Sequence, residues 1–358
     1  MTKFSEKLAS VTRIGLDLAK NVFQIHGVDA AGNVVVTRKL RRGVVLEFFG
    51  QLPRCLVAME ACGSAHHWGR EIAALGHEVR LIPPAHVKPY VRRNKTDAAD
   101  AAAICEAAMR PAQRFVPVRS LANQASLMRH RVREQLVGQR TALLNALRGH
   151  LSEVGIIAPQ GAQYVYELKQ FAESGVDGNG EIVVCDEVRA ALAPLAAQID
   201  ALDKEIAAID AELEGVAKAD DRAKRLMTIP GVGPITATAL AATVVEVGAF
   251  VNGREFAAFL GLTPRQHSSG GKERSGRISK MGDSYLRKLL VIGATSVLYR
   301  AGGHKDALRH WATGLLKRKG WFKYAFKLTA VALANKLARI VFAILRSGGV
   351  YDDRPVAA

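Results

Sequence analysis

Five short apolar runs within the first 82 residues constrain this chain more than any other feature. Val11-Thr12-Arg13-Ile14-Gly15-Leu16-Asp17 reads as a strand. Val22-Phe23-Gln24-Ile25-His26-Gly27-Val28 alternates apolar and polar residues, the period of a half-buried strand. The turn Asp29-Ala30-Ala31-Gly32-Asn33 leads into Val34-Val35-Val36. A short helix over 44–52 precedes Leu56-Val57-Ala58-Met59-Glu60, which is apolar until its last residue. A helix over 65–75 then leads to Glu78-Val79-Arg80-Leu81-Ile82, stopped by Pro83-Pro84. Three meander strands followed by alternating helices and strands predict a mixed α/β sheet.

The rest of the chain reads as helical, so the fold class is α/β plus α. An Ala-rich helix spans 97–109, and a long Arg-rich amphipathic helix spans 120–154. Residues 155–187, rich in Gly, Gln, Asp and Asn, read as a loop-rich insertion. A second long helix covers 188–214, with Leu192, Leu195, Ile199, Leu202, Ile206, Ile209 and Leu213 spaced three or four apart. That spacing fits a coiled-coil seam, and equally an amphipathic helix packed within its own chain. Near the start of the last block, Pro230-Gly231-Val232-Gly233-Pro234 joins two short helices. This turn resembles a helix-hairpin-helix grip, in which backbone N–H groups near Gly231 and Gly233 face a phosphate. A basic helix over 320–346 closes the chain. The expected domains are 1–118, 119–221 and 222–346, with a tail at 347–358.

Charge follows this division. Residues 222–346 hold 22 Lys+Arg against 5 Asp+Glu, which equals the whole-chain surplus of +17. The remaining residues carry 28 of each sign. A basic surface of this kind makes a polyanion the expected partner. Apolar content of 49% excludes a disordered chain. Cys55, Cys62, Cys105 and Cys185 form no CxxC pair and read as reduced thiols. The N-terminal MTKFSEKLAS has no signal-peptide core, and Asn335, Lys336 and Arg339 interrupt the most apolar late segment. A cytoplasmic protein without a membrane partner is expected.

Four acids sit where chemistry can use them. Asp17 and Glu60 each end an apolar strand, and ligands of α/β sheets gather at strand ends. Asp97 and Asp100, three apart, share one helix face. Four converging carboxylates would repel one another without a cation, and an all-oxygen set suits Mg²⁺. Two such ions would serve phosphoryl transfer. The opening Gly15-Leu16-Asp17-Leu18-Ala19-Lys20 also resembles the first phosphate loop of actin-like kinases, but no second such loop or adenosine motif follows.

The basic block holds a Gly/Ser-rich turn, His267-Ser268-Ser269-Gly270-Gly271-Lys272, which reads as flexible and polar after a short helix end. Its glycines let the backbone approach a phosphate closely. A serine there can be a nucleophile, with His267 as proton acceptor and Arg265, Lys272, Arg274 and Arg277 as phosphate clamps. A phosphate-binding loop without covalent chemistry fits the same residues. Arg287, Lys288, Arg300, Lys305, Arg309, Lys317, Arg318 and Lys319 extend the basic surface. Trp311, Trp321, Phe322 and Tyr324 lie among them, either as core or as stacking platforms for bases. His66-His67 lack the further spaced ligands of a zinc site.

Taken together, these motifs resemble the DEDD transposases of insertion-sequence family 110, especially its 1111 subgroup, and the related pilin-gene invertases. The resemblance rests on Gly15-Leu16-Asp17-Leu18-Ala19-Lys20, Met59-Glu60-Ala61-Cys62-Gly63-Ser64 and Lys95-Thr96-Asp97-Ala98-Ala99-Asp100. It continues through Ile229-Pro230-Gly231-Val232-Gly233-Pro234, Ser268-Ser269-Gly270-Gly271-Lys272 and Gly276-Arg277-Ile278-Ser279-Lys280-Met281-Gly282. It implies a RuvC-like (ribonuclease H fold) catalytic domain, a helical coiled-coil middle and a mainly helical C-terminal transposase domain. It also implies Mg²⁺ on Asp17, Glu60, Asp97 and Asp100, and a nucleophile at Ser269, with Ser268 as its neighbour. Backbone contacts would come from Arg265, Lys272, Arg274, Arg277 and Lys280. The implied partners are donor and target DNA, a noncoding bridge RNA that pairs with both, and further copies of the chain as a dimer or tetramer. Such a protein would associate with the nucleoid when acting. A water-using junction nuclease and a non-catalytic nucleic-acid-binding protein remain the other readings of the residues.

Overall fold

The computed structural model describes residues 8–91, 96–111, 113–177, 179–272, 274–301, 306–320 and 323–352. Lys95, Lys305, Trp321, Phe322 and residues 353–358 of the expected tail lie outside these. The chain forms two compact units, 1–123 and 124–358.

The first unit is built on a five-stranded sheet: β1 (Arg13–Asp17), β2 (Val22–Val28), β3 (Val34–Arg41), β4 (Leu56–Glu60) and β5 (Glu78–Ile82). Spatial order is β3-β2-β1-β4-β5. The first three strands pair antiparallel, and β1-β4-β5 pair parallel. This is the mixed sheet the apolar runs predict, and it is consistent with a RuvC-like domain. Helices α1 (Val45–Gly50), α2 (Ala65–Ala74), α3 (Pro84–Val87) and α4 (Asp97–Ala107) complete the unit.

Strand alternation assigns the two faces. Ile14, Leu16, Phe23, Ile25, Val57 and Met59 point to one side and bury against Phe49, Trp68 and Ile72 of α1 and α2. Ala58 and Ile82 point to the other and bury against Ala103, Ile104 and Ala107 of α4. Gly15 lies on that second face without a side chain, and α4 rests directly on its backbone. A Cβ on Gly15 would stand 2.1 Å from the Ala101 carbonyl oxygen and 2.6 Å from the Cys105 nitrogen.

Among the described residues the second unit is mainly helical, with one two-stranded hairpin and an isolated bridge between Val176 and Ile182. Its elements are α5 (Leu121–Glu153), α6 (Val165–Glu173), α7 (Asp186–Ala219), α8 (Asp221–Met227), α9 (Pro234–Thr243) and α10 (Gly253–Phe259). Then come β6 (Pro264–Gln266), β7 (Ser275–Ile278), α11 (Ser284–Tyr299), α12 (Ala307–Lys319) and α13 (Lys323–Ser347). The stretch expected to be loop-rich contains α6, whose Leu168, Phe171 and Ala172 fill a core between α5 (Leu144, Leu147, Leu151) and α7 (Leu192, Ala196, Ile199). Polar composition hid it, because only one narrow face of so short a helix needs to be apolar.

Farther along α7, Leu202, Ile206 and Ile209 are only half-buried. Ion pairs link the two long helices there: Arg140 to Asp203, Arg133 to Asp210, and Arg129 to Glu212 at 3.1 Å. The ladder fixes an antiparallel register. The Arg129 pair is exposed and contributes little stability, whereas Arg133 and Arg140 each grip their partner carboxylate in a part-buried, two-bonded fork. Helix α13 is long and apolar enough to cross a membrane. Its Leu333, Leu337 and Val341 are fully buried in the unit's larger core, which explains its composition.

At the foot of α5, His130 is buried. Its Nδ1 lies 3.1 Å from the Tyr285 hydroxyl and its Nε2 3.2 Å from Thr238 Oγ1. Burial, followed by the charges of Arg133 and Arg131, lowers its pKa from 6.5 to about 4. The folded value lies below the unfolded one. The stability from keeping this ring neutral is therefore whole above pH 6.5 and lost as pH falls toward 4. The expected slope is about 1.4 kcal/mol per pH unit inside that window. Denaturant unfolding between pH 7 and 4.5 should show it, and His130→Gln should remove this contribution.

Candidate active site

The four acids reach one place by different routes. Asp17 and Glu60 end β1 and β4, neighbouring parallel strands in which Leu16 pairs with Met59 just before them. Both are half-buried. Asp97 and Asp100 stand in the first turn of α4, where Thr96 Oγ1 accepts from the Ala99 N–H at 3.2 Å and caps the helix. Carboxylates in a first turn also suit the positive end of the helix dipole. Because α4 lies on Gly15, that turn is brought to the end of β1. A cleft of about 670 Å³ results, lined by all four acids together with Cys62 and Lys88.

The lining fits a hard divalent cation: the donors are carboxylate oxygens at the mouth of a cleft. Among the described residues no three His, Cys, Asp or Glu side chains converge tightly enough to cage an ion. A small hard cation needs only one or two protein carboxylates, with water and phosphate oxygens completing its shell. Asp97 is largely exposed, and Lys39 Nζ lies 4.0 Å from its Oδ2. Neither Lys39 nor Lys88 stood out in the sequence. Lys39 joins the acids through cross-strand register, and Lys88 through the short turn after β5. A second cleft, of about 790 Å³ and including Arg13, His26, Tyr90 and Arg110, holds none of the expected site residues.

The serine turn belongs to the second unit, and it is a β-hairpin rather than a flexible loop. Pro264 pairs with Ile278 and Gln266 with Ser275, and a further bridge joins Ser269 to Lys272. Gly270 (φ 56°) and Gly271 (φ 75°) occupy the tip. Two successive positive φ values are those of the tight turn that matches strand twist. The glycine pair thus closes a hairpin where the sequence reading saw freedom. Ser268 Oγ accepts from the Arg274 N–H at 3.3 Å. No bond to Ser269 Oγ is present among the described residues, and this serine is exposed at the tip.

The expected helpers separate into two groups. Lys272, Arg274, Arg277 and Lys280 are exposed. Arg265 donates to the Ser279 carbonyl at 3.2 Å and so ties the hairpin to its own return. His267 packs its ring over Gly276, where a Cβ would be 3.4 Å away. Among the described residues it makes no hydrogen bond to either serine. Arg287, expected as surface charge, instead clamps the hairpin's base, donating to the Leu260 and Met281 carbonyls at 2.9 Å each.

Other expectations shift with the packing. Gly231 (φ 85°) abuts α11, where a Cβ would stand 2.7 Å from the Gly293 carbonyl oxygen. It is a close-packing glycine, whereas Gly233 faces open space. Trp311 is covered by Lys336, 4.4 Å above its ring, while Tyr324 is exposed. His66 accepts the Arg119 N–H at 3.2 Å and His67 pairs with Glu71, so neither is placed as a zinc ligand.

A DEDD transposase model of the IS110 type matches residues 14–156, the stretch holding all four acids. The model described as "Transposase IS116/IS110/IS902 family" matches residues 223–310, which include the hairpin. A "Probable family 20 transposase" of Pseudomonas aeruginosa is 48% identical over 94% of this chain and 97% of its own length. The "Transposase for insertion sequence element IS1111A" of Coxiella burnetii is 38% identical over 98% of this chain and 93% of its own. The chain belongs to the IS110 family of transposases. A "Pilin gene-inverting protein" of Moraxella lacunata is 30% identical over a shorter region, 37% of this transposase. Membership makes the chain an insertion-sequence transposase, and its DEDD domain is of a kind that suggests a divalent-metal requirement.

The seat of α4 can be tested by itself. Gly15→Ala should cost about 1–3 kcal/mol of stability, the usual range for overpacking. Gly63→Ala, with nothing within 4 Å of its new Cβ, should cost far less. Parallel denaturant melts of the two variants make the comparison.

Proposed function

We propose that this transposase cuts and rejoins DNA through a covalent phosphoserine intermediate, using Asp17, Glu60, Asp97 and Asp100 to hold Mg²⁺ and Ser269 as nucleophile. The observation that carries the reading is one cleft lined by four carboxylates from three separate elements. When bound there, a divalent cation would supply Lewis-acid polarisation of a phosphate and stabilise a leaving oxygen. Asp97 and Asp100 are pre-oriented by the Thr96 cap, and Asp17 and Glu60 by neighbouring strand ends.

In the proposed step Ser269 Oγ forms a bond to a backbone phosphorus and gives up its proton. The phosphorus–oxygen bond to the departing deoxyribose oxygen breaks, and that oxygen takes a proton. Rejoining reverses the step with the hydroxyl of another strand. Ser269 suits the role by standing exposed at the tip of a clamped hairpin. Lys272, Arg274, Arg277 and Lys280 around it would grip phosphates.

The reading assigns catalysis by acids to residues 1–118, oligomerisation to 119–221 and the serine to a domain over 222–346. Half-buried Leu202, Ile206 and Ile209 supply an apolar stripe for a second copy of the chain. Guidance by a structured RNA, which the family resemblance implies, suits a protein whose cations grip backbones while base pairing carries the sequence. Work on chromosomal DNA would place the protein at the nucleoid.

One observation favours a water-using nuclease instead: no base is hydrogen-bonded to Ser269 among the described residues. Ser269→Ala separates the two. Excision and integration of the element should fall by at least roughly a thousandfold, as for other nucleophile deletions, with DNA binding retained. Asp17→Ala should do the same. Parental transposition by Ser269→Ala would contradict the nucleophile.

A further inference from the structure

The register of the sheet places a cation in the same row as the acids. Asp17 pairs with Gln24, and Gln24 pairs with Lys39. Directly paired residues share a sheet face, so Lys39 stands on the face of Asp17 and Glu60, two strand spacings or roughly 10 Å from Asp17. On β3, Val36 and Leu40 are buried on the opposite face, while Thr37, Lys39 and Arg41 are exposed. Helix α4 packs on β1 and β2, and Lys39 and Arg41 on β3 stay exposed.

From this we infer that Lys39 and Arg41 form a phosphate track that receives the DNA strand entering the four-acid cleft. The inference rests on the function proposed above. Lys39 and Arg41 alternate along one strand, about 6.8 Å apart. That is close to the separation of successive phosphates in an extended nucleic-acid strand. The Lys39–Asp97 pair is long and exposed on both sides, so Lys39 can leave it at little cost. A phosphate that draws off Lys39 also frees an Asp97 oxygen to face the cleft. Charge on an open edge strand also guards against edge-to-edge pairing. That role alone requires no effect on cutting.

The test uses the full-length protein with two probes. One is a plasmid carrying the element and its flanking noncoding DNA, cut in Mg²⁺. The other is a labelled duplex of the element's end, bound without metal in EDTA across a salt series. Lys39→Gln should cut at least about tenfold more slowly, and its plot of log affinity against log salt should be shallower by about one, the mark of one lost phosphate contact. Lys39→Arg should restore both, Arg41→Gln should shift both in the same direction, and melting temperatures should not change. Parental cutting by Lys39→Gln, beside a dead Asp17→Ala, would overturn the track and leave the catalytic reading standing. Slow cutting with an unchanged salt slope would make Lys39 a positioning residue for Asp97 and also overturn the track. Parental cutting by Asp17→Ala would remove the catalytic reading and the track with it.

Discussion

The first unit depends on a contact between backbone and backbone. Helix α4 settles on Gly15 because that position in β1 has no side chain, and any Cβ there would collide with the Ala101 carbonyl. The contact sets the height of α4 over the sheet. It brings the first turn of α4, with Asp97 and Asp100, to the strand ends that carry Asp17 and Glu60. Packing at a glycine thereby becomes a charge constellation at a cleft. Interiors are close-packed and transmit a misfit rather than absorb it, so the acids and the seat of the helix stand or fall together.

A comparable economy governs the hairpin of the second unit. Its tip needs Gly270 and Gly271 for two positive φ values, and its base needs Gly261 and Gly282. At Gly282 a Cβ would lie 1.8 Å from the Phe259 carbonyl oxygen. Arg287 then spends its guanidinium on two backbone carbonyls. An exposed serine is thus carried on a stiff support, the condition under which a reactive group can be aimed.

Much of this was legible in the sequence. The strands announced themselves by period, and Asp17 and Glu60 by ending apolar runs. Asp97 and Asp100 showed as a helical pair. What stayed hidden depended on partners distant in sequence. Lys39 looks like one more surface cation until β-register sets it in the same cross-strand row as Asp17, with Gln24 between them. Arg287 read as surface charge because the carbonyls it binds come from loops brought together only by folding. Gly231 also meets a packing demand the sequence hides, because its partner, Gly293, lies 62 positions on. Gly270-Gly271 read as flexible because glycine supplies freedom and required positive φ with the same residue.

The central claim is that a serine of this transposase becomes covalently joined to DNA in dependence on the acid cleft. The most direct measurement is mass spectrometry of the protein expressed with its flanking noncoding DNA, digested with protease and nuclease. The account predicts a nucleotide remnant on the peptide containing Ser269 that disappears in Asp17→Ala. Mg²⁺-dependent DNA cutting with no remnant on any serine would contradict it.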